Sequence, residues 1–232
     1  AALAKLKKSG LESLILDLQG NGGGYLNRAV ELSDEFLSEG KKIVFTRGRT
    51  SPPEDYNSSV IGGWEKGKLA ILVDESSASA SEIVSGAVQD WDRGLIIGRR
   101  SFGKGLVQKP FQLPDGSAIR LTVAHYYTPS GRNIQKPYKL GEEDEYELDF
   151  SNRVKSGELF SADSVKFEDS TNYYTNSKRL VKGGGGIMPD LFVPLDTSNN
   201  STFYTDLLRK GVLGDFSLTY TDNHRAELLK KY

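Results

Sequence analysis

Lys68-Leu69-Ala70-Ile71-Leu72-Val73-Asp74-Glu75-Ser76-Ser77-Ala78-Ser79-Ala80-Ser81-Glu82-Ile83 reads as a strand, a tight turn of small residues and the opening of a helix. Its first six residues are a short apolar run rich in branched side chains, the pattern of a buried strand. Beyond the turn, Ile83, Val84, Ala87, Val88 and Trp91 recur at helical spacing. An amphipathic helix is therefore expected from about Ala80 to Trp91, with one face in the core. Ser79 then stands at the helix N-terminus, where first-turn N–H groups lack intrahelical partners and the dipole is positive. The N–H of Ala80 could hold a negatively charged oxygen forming beside Ser79. The same residues, Ser79-Ala80-Ser81-Glu82, also fit the S-x-x-E capping box, in which the serine caps the helix and the glutamate bonds back to it. Ser76, Ser77 and Ser81 are equally available hydroxyls, so spacing within the turn does not select a nucleophile.

The lysine in Phe102-Gly103-Lys104-Gly105-Leu106-Val107-Gln108 does more to select one. Lys104 follows the apolar strand Leu95-Ile96-Ile97-Gly98, and the glycines on both sides permit backbone conformations and close approaches that other residues resist. A solvated surface lysine needs no such setting. Lysine is a general base only when neutral, a state that burial or neighbouring donors can favour. A third segment, Leu14-Ile15-Leu16-Asp17-Leu18-Gln19-Gly20-Asn21-Gly22-Gly23-Gly24, runs from a strand into a glycine-rich turn. The turn opens a helix marked by Leu26, Ala29, Val30, Ser33 and Leu37 on one face. Consecutive glycines can point several N–H groups into one concavity, a nest for negative charge, or can simply make a tight turn. Neither nucleotide-binding glycine motif is satisfied there.

These three segments, in this order, resemble the carboxyl-terminal processing proteases, or tail-specific proteases, a serine peptidase family with a Ser-Lys mechanism. The similarity continues through Asp115-Gly116-Ser117-Ala118-Ile119-Arg120-Leu121-Thr122-Val123 and Tyr126-Tyr127-Thr128-Pro129-Ser130-Gly131-Arg132-Asn133-Ile134-Gln135, and resumes at Gly186-Ile187-Met188-Pro189-Asp190. The resemblance implies Ser79 as nucleophile, Lys104 as general base and Gln108 as the group orienting the lysine. It implies an oxyanion hole from the N–H groups of Ala80 and a glycine of the Gly22-Gly23-Gly24 turn, with Gly23 the expected one. Asp90 matches a family acidic position, with an expected structural role through Arg93 or a helix end. Two departures stand out: Gln19 replaces the family's usual arginine, and Gly22 its usual proline. Neither removes a catalytic side chain, but added glycine raises the entropy lost on ordering the turn.

Composition fits a globular chain and excludes several chemistries. With 232 residues and 37% hydrophobic content, the chain can bury a sizeable core. Thirty basic against thirty-one acidic side chains (Lys+Arg 30, Asp+Glu 31) leave no basic stripe, so nucleic acid is not an expected partner. The sequence has no cysteine, which rules out thiol catalysis, disulfides and thiolate metal sites. Its two histidines, His125 and His224, form no H-E-x-x-H pattern, and His125 in Leu121–Tyr127 reads as a packed or edge side chain of a strand. No metal and no cofactor is expected.

Strands alternate with helices up to about Ile97, which argues for an α/β core with parallel pairing. Val107 to Tyr127 adds a strand-rich hairpin around Pro114-Asp115-Gly116. The resemblance sharpens this to a crotonase/Clp-protease-like core of repeated β-α units. The expected organisation is a first part of the core over 1–137, a polar insertion or excursion over 138–181, and a return to the core over 182–232. The excursion carries the acidic run Glu142-Glu143-Asp144-Glu145-Tyr146-Glu147 and is expected to be a solvated surface loop. Gly183-Gly184-Gly185-Gly186 reads as a joint before the strand Leu191-Phe192-Val193-Pro194. Both ends read as though cut within helices. Members of the resembled family usually carry a preceding peptide-binding PDZ domain and an export signal, so the resemblance implies a periplasmic or exported envelope location, with membrane association only through segments outside this stretch. The expected partners are polypeptides with unstructured C-termini, bound by strand addition, and a homo-oligomer is allowed. Two other functions fit the architecture: an acyl-thioester enzyme of the crotonase type and a catalytically idle peptide-binding scaffold.

Overall fold

The computed structural model describes residues 2–59, 61–138, 141, 144, 146, 148–167, 169–198 and 201–231. In chain order the elements are α1 (Ala2–Lys8), β1 (Ser13–Asp17), α2 (Leu26–Asp34), β2 (Lys42–Arg47), β3 (Glu54–Asn57), β4 (Lys68–Val73), α3 (Ala80–Asp90), β5 (Leu95–Gly98), β6 (Leu106–Gln112) and β7 (Ala118–Tyr127). They continue with α4 (Asp149–Lys155), β8 (Tyr173–Tyr174), β9 (Leu180–Val181), β10 (Leu191–Phe192), α5 (Thr202–Arg209) and α6 (Val212–Lys231). The chain divides into one unit of residues 1–194 and a second of 195–232.

Two sheets make the frame of the larger unit. One has the order β1-β4-β5-β10, with every pairing parallel; the other has the order β3-β2-β7-β6 and is antiparallel. This is the mixed α/β architecture expected, with the hairpin as its strand-rich addition. In β4, Leu69, Ile71 and Val73 alternate into the core while Lys68 stays outside. Each such side chain contributes roughly 1.5–3 kcal/mol on burial. The helix α3 packs against α2, against β5 of one sheet and against β2 of the other. Enclosed in this way, it is buried along nearly its whole length, Ile83, Val84, Ala87 and Val88 included. At its end the Trp91 indole donates to Lys42 O at 2.7 Å, and the Trp64 indole donates to Lys68 O at 3.1 Å.

Asp190 explains the Gly186–Asp190 motif. Its carboxylate accepts from Ile96 N at 2.8 Å and from Gln89 Nε2 at 2.9 Å, which seats β10 beside β5 and under α3. Asp90 pairs with Arg132 at 2.7 Å, both side chains 1% exposed, and accepts from Ser130 N at 2.9 Å. The role is structural as expected, but its partner is Arg132 rather than Arg93, whose guanidinium is taken by the carbonyls of Phe36 and Trp64. A buried carboxylate needs a partner of opposite charge, and Arg132, just beyond β7, supplies it.

Two expectations about the later chain are corrected. The excursion over 138–181 is not a solvated loop: Leu159 is fully buried, Arg153, Glu158 and Thr175 are also buried, and β8 pairs with β9. Much of what it buries is polar and paired, so no apolar period announces it. Of the acidic run, Glu142, Glu143, Glu145 and Glu147 lie outside the described residues. The return to the core ends at Pro194, because residues 195–232 form the second unit. That unit holds α5, capped by Ser201 accepting from Tyr204 N at 3.0 Å, and α6, which leaves helical geometry at His224. Phe203, Phe216, Leu218 and Leu229 are exposed on it.

Candidate active site

Ser79 is the N-cap of α3 and adopts φ 57°, ψ −113°, a conformation that costs a non-glycine residue roughly 1–3 kcal/mol. The turn that imposes it is stapled from both sides. Ala78 N donates to Asn21 O at 3.0 Å, the Ser77 hydroxyl donates to Leu18 O at 2.7 Å, and Phe102 N donates to Ser77 O at 2.9 Å. Asn21 O also accepts from the Ser81 hydroxyl at 2.9 Å, which engages Ser81 structurally. Of the serines in the turn, Ser79 opens onto a cavity of about 470 Å³, which it shares with Ile83, Lys104, Leu106 and Gln108.

The two halves of the site meet at Glu82. Its side chain is fully buried, and its Oε2 accepts from Ser79 N at 2.8 Å, as the capping-box glutamate does, and from Lys104 N at 2.8 Å. Its Oε1 accepts from the Ser101 hydroxyl at 2.6 Å and from Gly103 N at 2.7 Å. Burial pushes the Glu82 carboxyl above its ordinary value, and these four donors partly oppose that. One carboxylate thus ties the backbone of the candidate nucleophile to the backbone of the candidate base. In Glu82→Gln, one acceptor oxygen becomes an NH₂ group facing two donors. The expected loss is about 2–4 kcal/mol of stability, read by chemical denaturation. A displacement of the base on the ångström scale should lower kcat by about 10²-fold.

The glycines beside Lys104 are required by close packing. A Cβ on Gly105 would lie 2.7 Å from Gln135 N, and one on Gly103, at φ +88°, would lie 3.0 Å from Lys136 Cβ. Lys104 and Gln108 line both the Ser79 cavity and a second cavity of about 730 Å³, which His125 also lines. Gln108 sits where the β6–β7 register shifts, a bulge of the kind that re-aims a side chain. Among the described residues no hydrogen bond joins Lys104 Nζ to Ser79 Oγ or to Gln108, although all three line one cavity. Tyr126 lines the same cavity, and its hydroxyl donates to Lys104 O. Burial, reinforced by the Glu82 carboxylate, pushes the Tyr126 phenol well above its usual value and keeps it a donor. No local pattern marks Tyr126 in the sequence. Glu82 was visible there only as a cap.

Gly23 and Ala80 face one another, as an oxyanion hole would require. A Cβ on Gly23, at φ +99°, would fall 2.5 Å from Ala78 O, 2.7 Å from Ser79 Cβ and 2.8 Å from Ala80 N. The Ala80 N–H has no acceptor among the described residues, whereas Gly23 N donates to Asn21 Oδ1 at 2.9 Å. A hole formed by these two groups would be open on the helix side and closed on itself on the glycine side, where an incoming oxyanion would compete with Asn21. For Gly23→Ala the added methyl group fills this space. It should cost about 10²–10³ in kcat, the scale of one lost oxyanion donor, measurable on any cleaved peptide.

Among the described residues, no cluster of histidine, aspartate and glutamate has the makings of a metal site. The chain is 45% identical over 133 residues to a carboxy-terminal-processing protease of Bartonella bacilliformis, covering 57% of this chain and 30% of that protein. It is 41% identical over 135 residues to a carboxyl-terminal-processing protease of Picosynechococcus, covering 58% and 32%. The chain thus spans about a third of the length of these curated relatives. In three dimensions it resembles the photosystem II D1 C-terminal processing protease, with a TM-score of 0.58 at 27% identity, over 84% of this chain and 38% of that one. The family model for Peptidase family S41 matches residues 1–144, which include Ser79, Lys104 and Gln108, and the chain belongs to that family.

Proposed function

We propose that this chain is the catalytic portion of a serine endopeptidase that cleaves unstructured or C-terminal segments of polypeptides. Ser79 is the nucleophile, Lys104 the general base and Gln108 the residue orienting the lysine, with the N–H groups of Ala80 and Gly23 as oxyanion hole. Ser79 Oγ attacks the peptide carbonyl while its proton passes to neutral Lys104 Nζ, and the oxyanion is held by the two N–H groups. Collapse breaks the C–N bond, and the leaving amine takes the proton from Lys104. Water, deprotonated by Lys104 Nζ, then attacks the ester, and collapse expels Ser79 Oγ, which takes the proton back from Lys104. Turning the Ser79 hydroxyl toward Lys104 across their shared cavity begins the sequence.

The observation that carries this reading is the strained Ser79 at the opening of α3, sharing a cavity with Lys104 and lying beside the N–H of Ala80, which is unpaired among the described residues. The names of the relatives support the substrate class. Strand addition is favoured by β6, an edge strand whose Leu106, Val107 and Pro110 line the Ser79 cavity. By kinship the proposed location is the cell envelope, periplasmic or exported. Among the described residues no helix is long and apolar enough to cross a membrane.

The test is digestion of an unfolded protein with product mapping by mass spectrometry, alongside labelling by a serine-reactive fluorophosphonate. Cleavage together with label on Ser79 is expected. An intact substrate and an unlabelled Ser79 would overturn the reading in favour of an idle scaffold, and co-purifying coenzyme A would favour thioester chemistry.

A further inference from the structure

The loop between β5 and β6 has no regular structure, yet most of its backbone is bonded, as a buried loop requires. Arg99 N donates to Val73 O, Ser101 N to Ile187 O, Gly105 N to Gln135 Oε1, and Gly103 O accepts from Lys136 N. Two carbonyls, those of Arg100 and Ser101, take their bonds from a single distant side chain. Arg153 of α4 donates to Arg100 O at 2.5 Å through Nη2 and to Ser101 O at 3.2 Å through Nη1. Its Nε donates to Glu158 Oε1 at 2.6 Å. The same carboxylate takes Arg100 Nε and Nη2, each at 2.7 Å, while Arg100 Nη1 reaches Gly185 O at 2.5 Å. All three side chains are buried.

Two guanidinium groups on one buried carboxylate are a poor way to stabilise a fold, because apolar packing of equal volume does as well without the desolvation cost. What the arrangement does provide is register. Arg153 fixes the carbonyl of Ser101, whose hydroxyl donates to Glu82, and Glu82 in turn holds Gly103 N, Lys104 N and Ser79 N. A continuous run of hydrogen bonds thus leads from α4 to both partners of the dyad.

We infer that α4 and Glu158 form a clamp on the catalytic loop, with Arg153 and Glu158 as positioning residues that set where Lys104 stands relative to Ser79. The clamp deepens the proposed peptidase reading and rests on it. It gives the segment after residue 138 a catalytic purpose: without its docking, the base is present but misplaced.

The test uses the whole chain carrying Arg153→Leu or Glu158→Gln, assayed on a fluorogenic peptide and by the rate of fluorophosphonate labelling of Ser79. Expected is a fall in kcat of about 20-fold or more with KM within about threefold, and unchanged far-ultraviolet circular dichroism. Combined with Lys104→Ala, Arg153→Leu should slow labelling by less than about twofold further, since there is no base left to misplace. Arg153→Lys, which keeps the charge and fewer bonds, should fall between parent and leucine, and it carries the test if the leucine variant does not fold. Parent kcat in a folded Arg153 variant would overturn the clamp. So would an equal loss with and without Lys104, because that marks a general structural role. Parent rates in Ser79→Ala and Lys104→Ala would instead overturn the dyad itself.

Discussion

Ser79→Ala is expected to lower kcat on an unfolded polypeptide by about 10⁶-fold, the scale of deleting a serine nucleophile whose partners act as one unit. The chain should stay folded, because alanine keeps the backbone that β4, the Asn21 carbonyl and Glu82 impose at this turn. A companion substitution separates chemistry from strain. Glycine accepts φ 57°, ψ −113° freely, so Ser79→Gly should be equally inactive yet more stable than the alanine variant by about 1 kcal/mol. That figure is the released strain of roughly 1–3 kcal/mol less the roughly 0.5–1 kcal/mol that glycine adds to the entropy of the unfolded chain. Denaturant titration of the two variants measures the difference. Parent-level hydrolysis by either variant would remove Ser79 from the mechanism.

Lys104→Ala should be the second most damaging change, at about 10³–10⁴-fold in kcat with KM little altered, because a general base works in the transition state and not in binding. The nearby groups are poor substitutes. The Tyr126 phenol is held in its protonated form, and Glu82 is saturated by four donors. Lys104→Arg should not rescue the rate, since a guanidinium does not lose its proton in a protein. Pre-steady-state kinetics provide the check: the burst of first product should vanish in both variants. A full burst in Lys104→Ala would assign the base elsewhere.

The parts of this site that follow local rules were legible in the sequence. The alternation in Lys68–Val73, the helical period from Ile83 to Trp91 and the glycine cluster at 22–24 each declare their own conformation, and the structure has β4, α3 and the turn where those patterns lie. What was not legible depends on pairings between distant segments. Ser79-Ala80-Ser81-Glu82 reads as a helix cap, and Glu82 does bond the Ser79 N–H. Nothing in those four residues discloses that the same carboxylate also gathers three donors from the loop at 101–104. Arg132 displaced Arg93 as partner of Asp90 for the same reason, sequence proximity being a weak guide to which buried charges meet. The segment after 138 read as solvated because it buries arginine, glutamate and threonine in place of an apolar stripe.

The two tryptophans, Trp64 and Trp91, both belong to the unit of residues 1–194, and their indoles donate to the carbonyls of Lys68 and Lys42, at the starts of β4 and β2. Tryptophan emission, excited to the red of tyrosine absorption, is therefore a dye-free gauge of how that unit melts, because residues 195–232 hold tyrosines but no tryptophan. Ellipticity sees both units. Superimposed melting curves from the two signals would mean that the units unfold as one cooperative block, and separated curves would assign each transition to its own part of the chain.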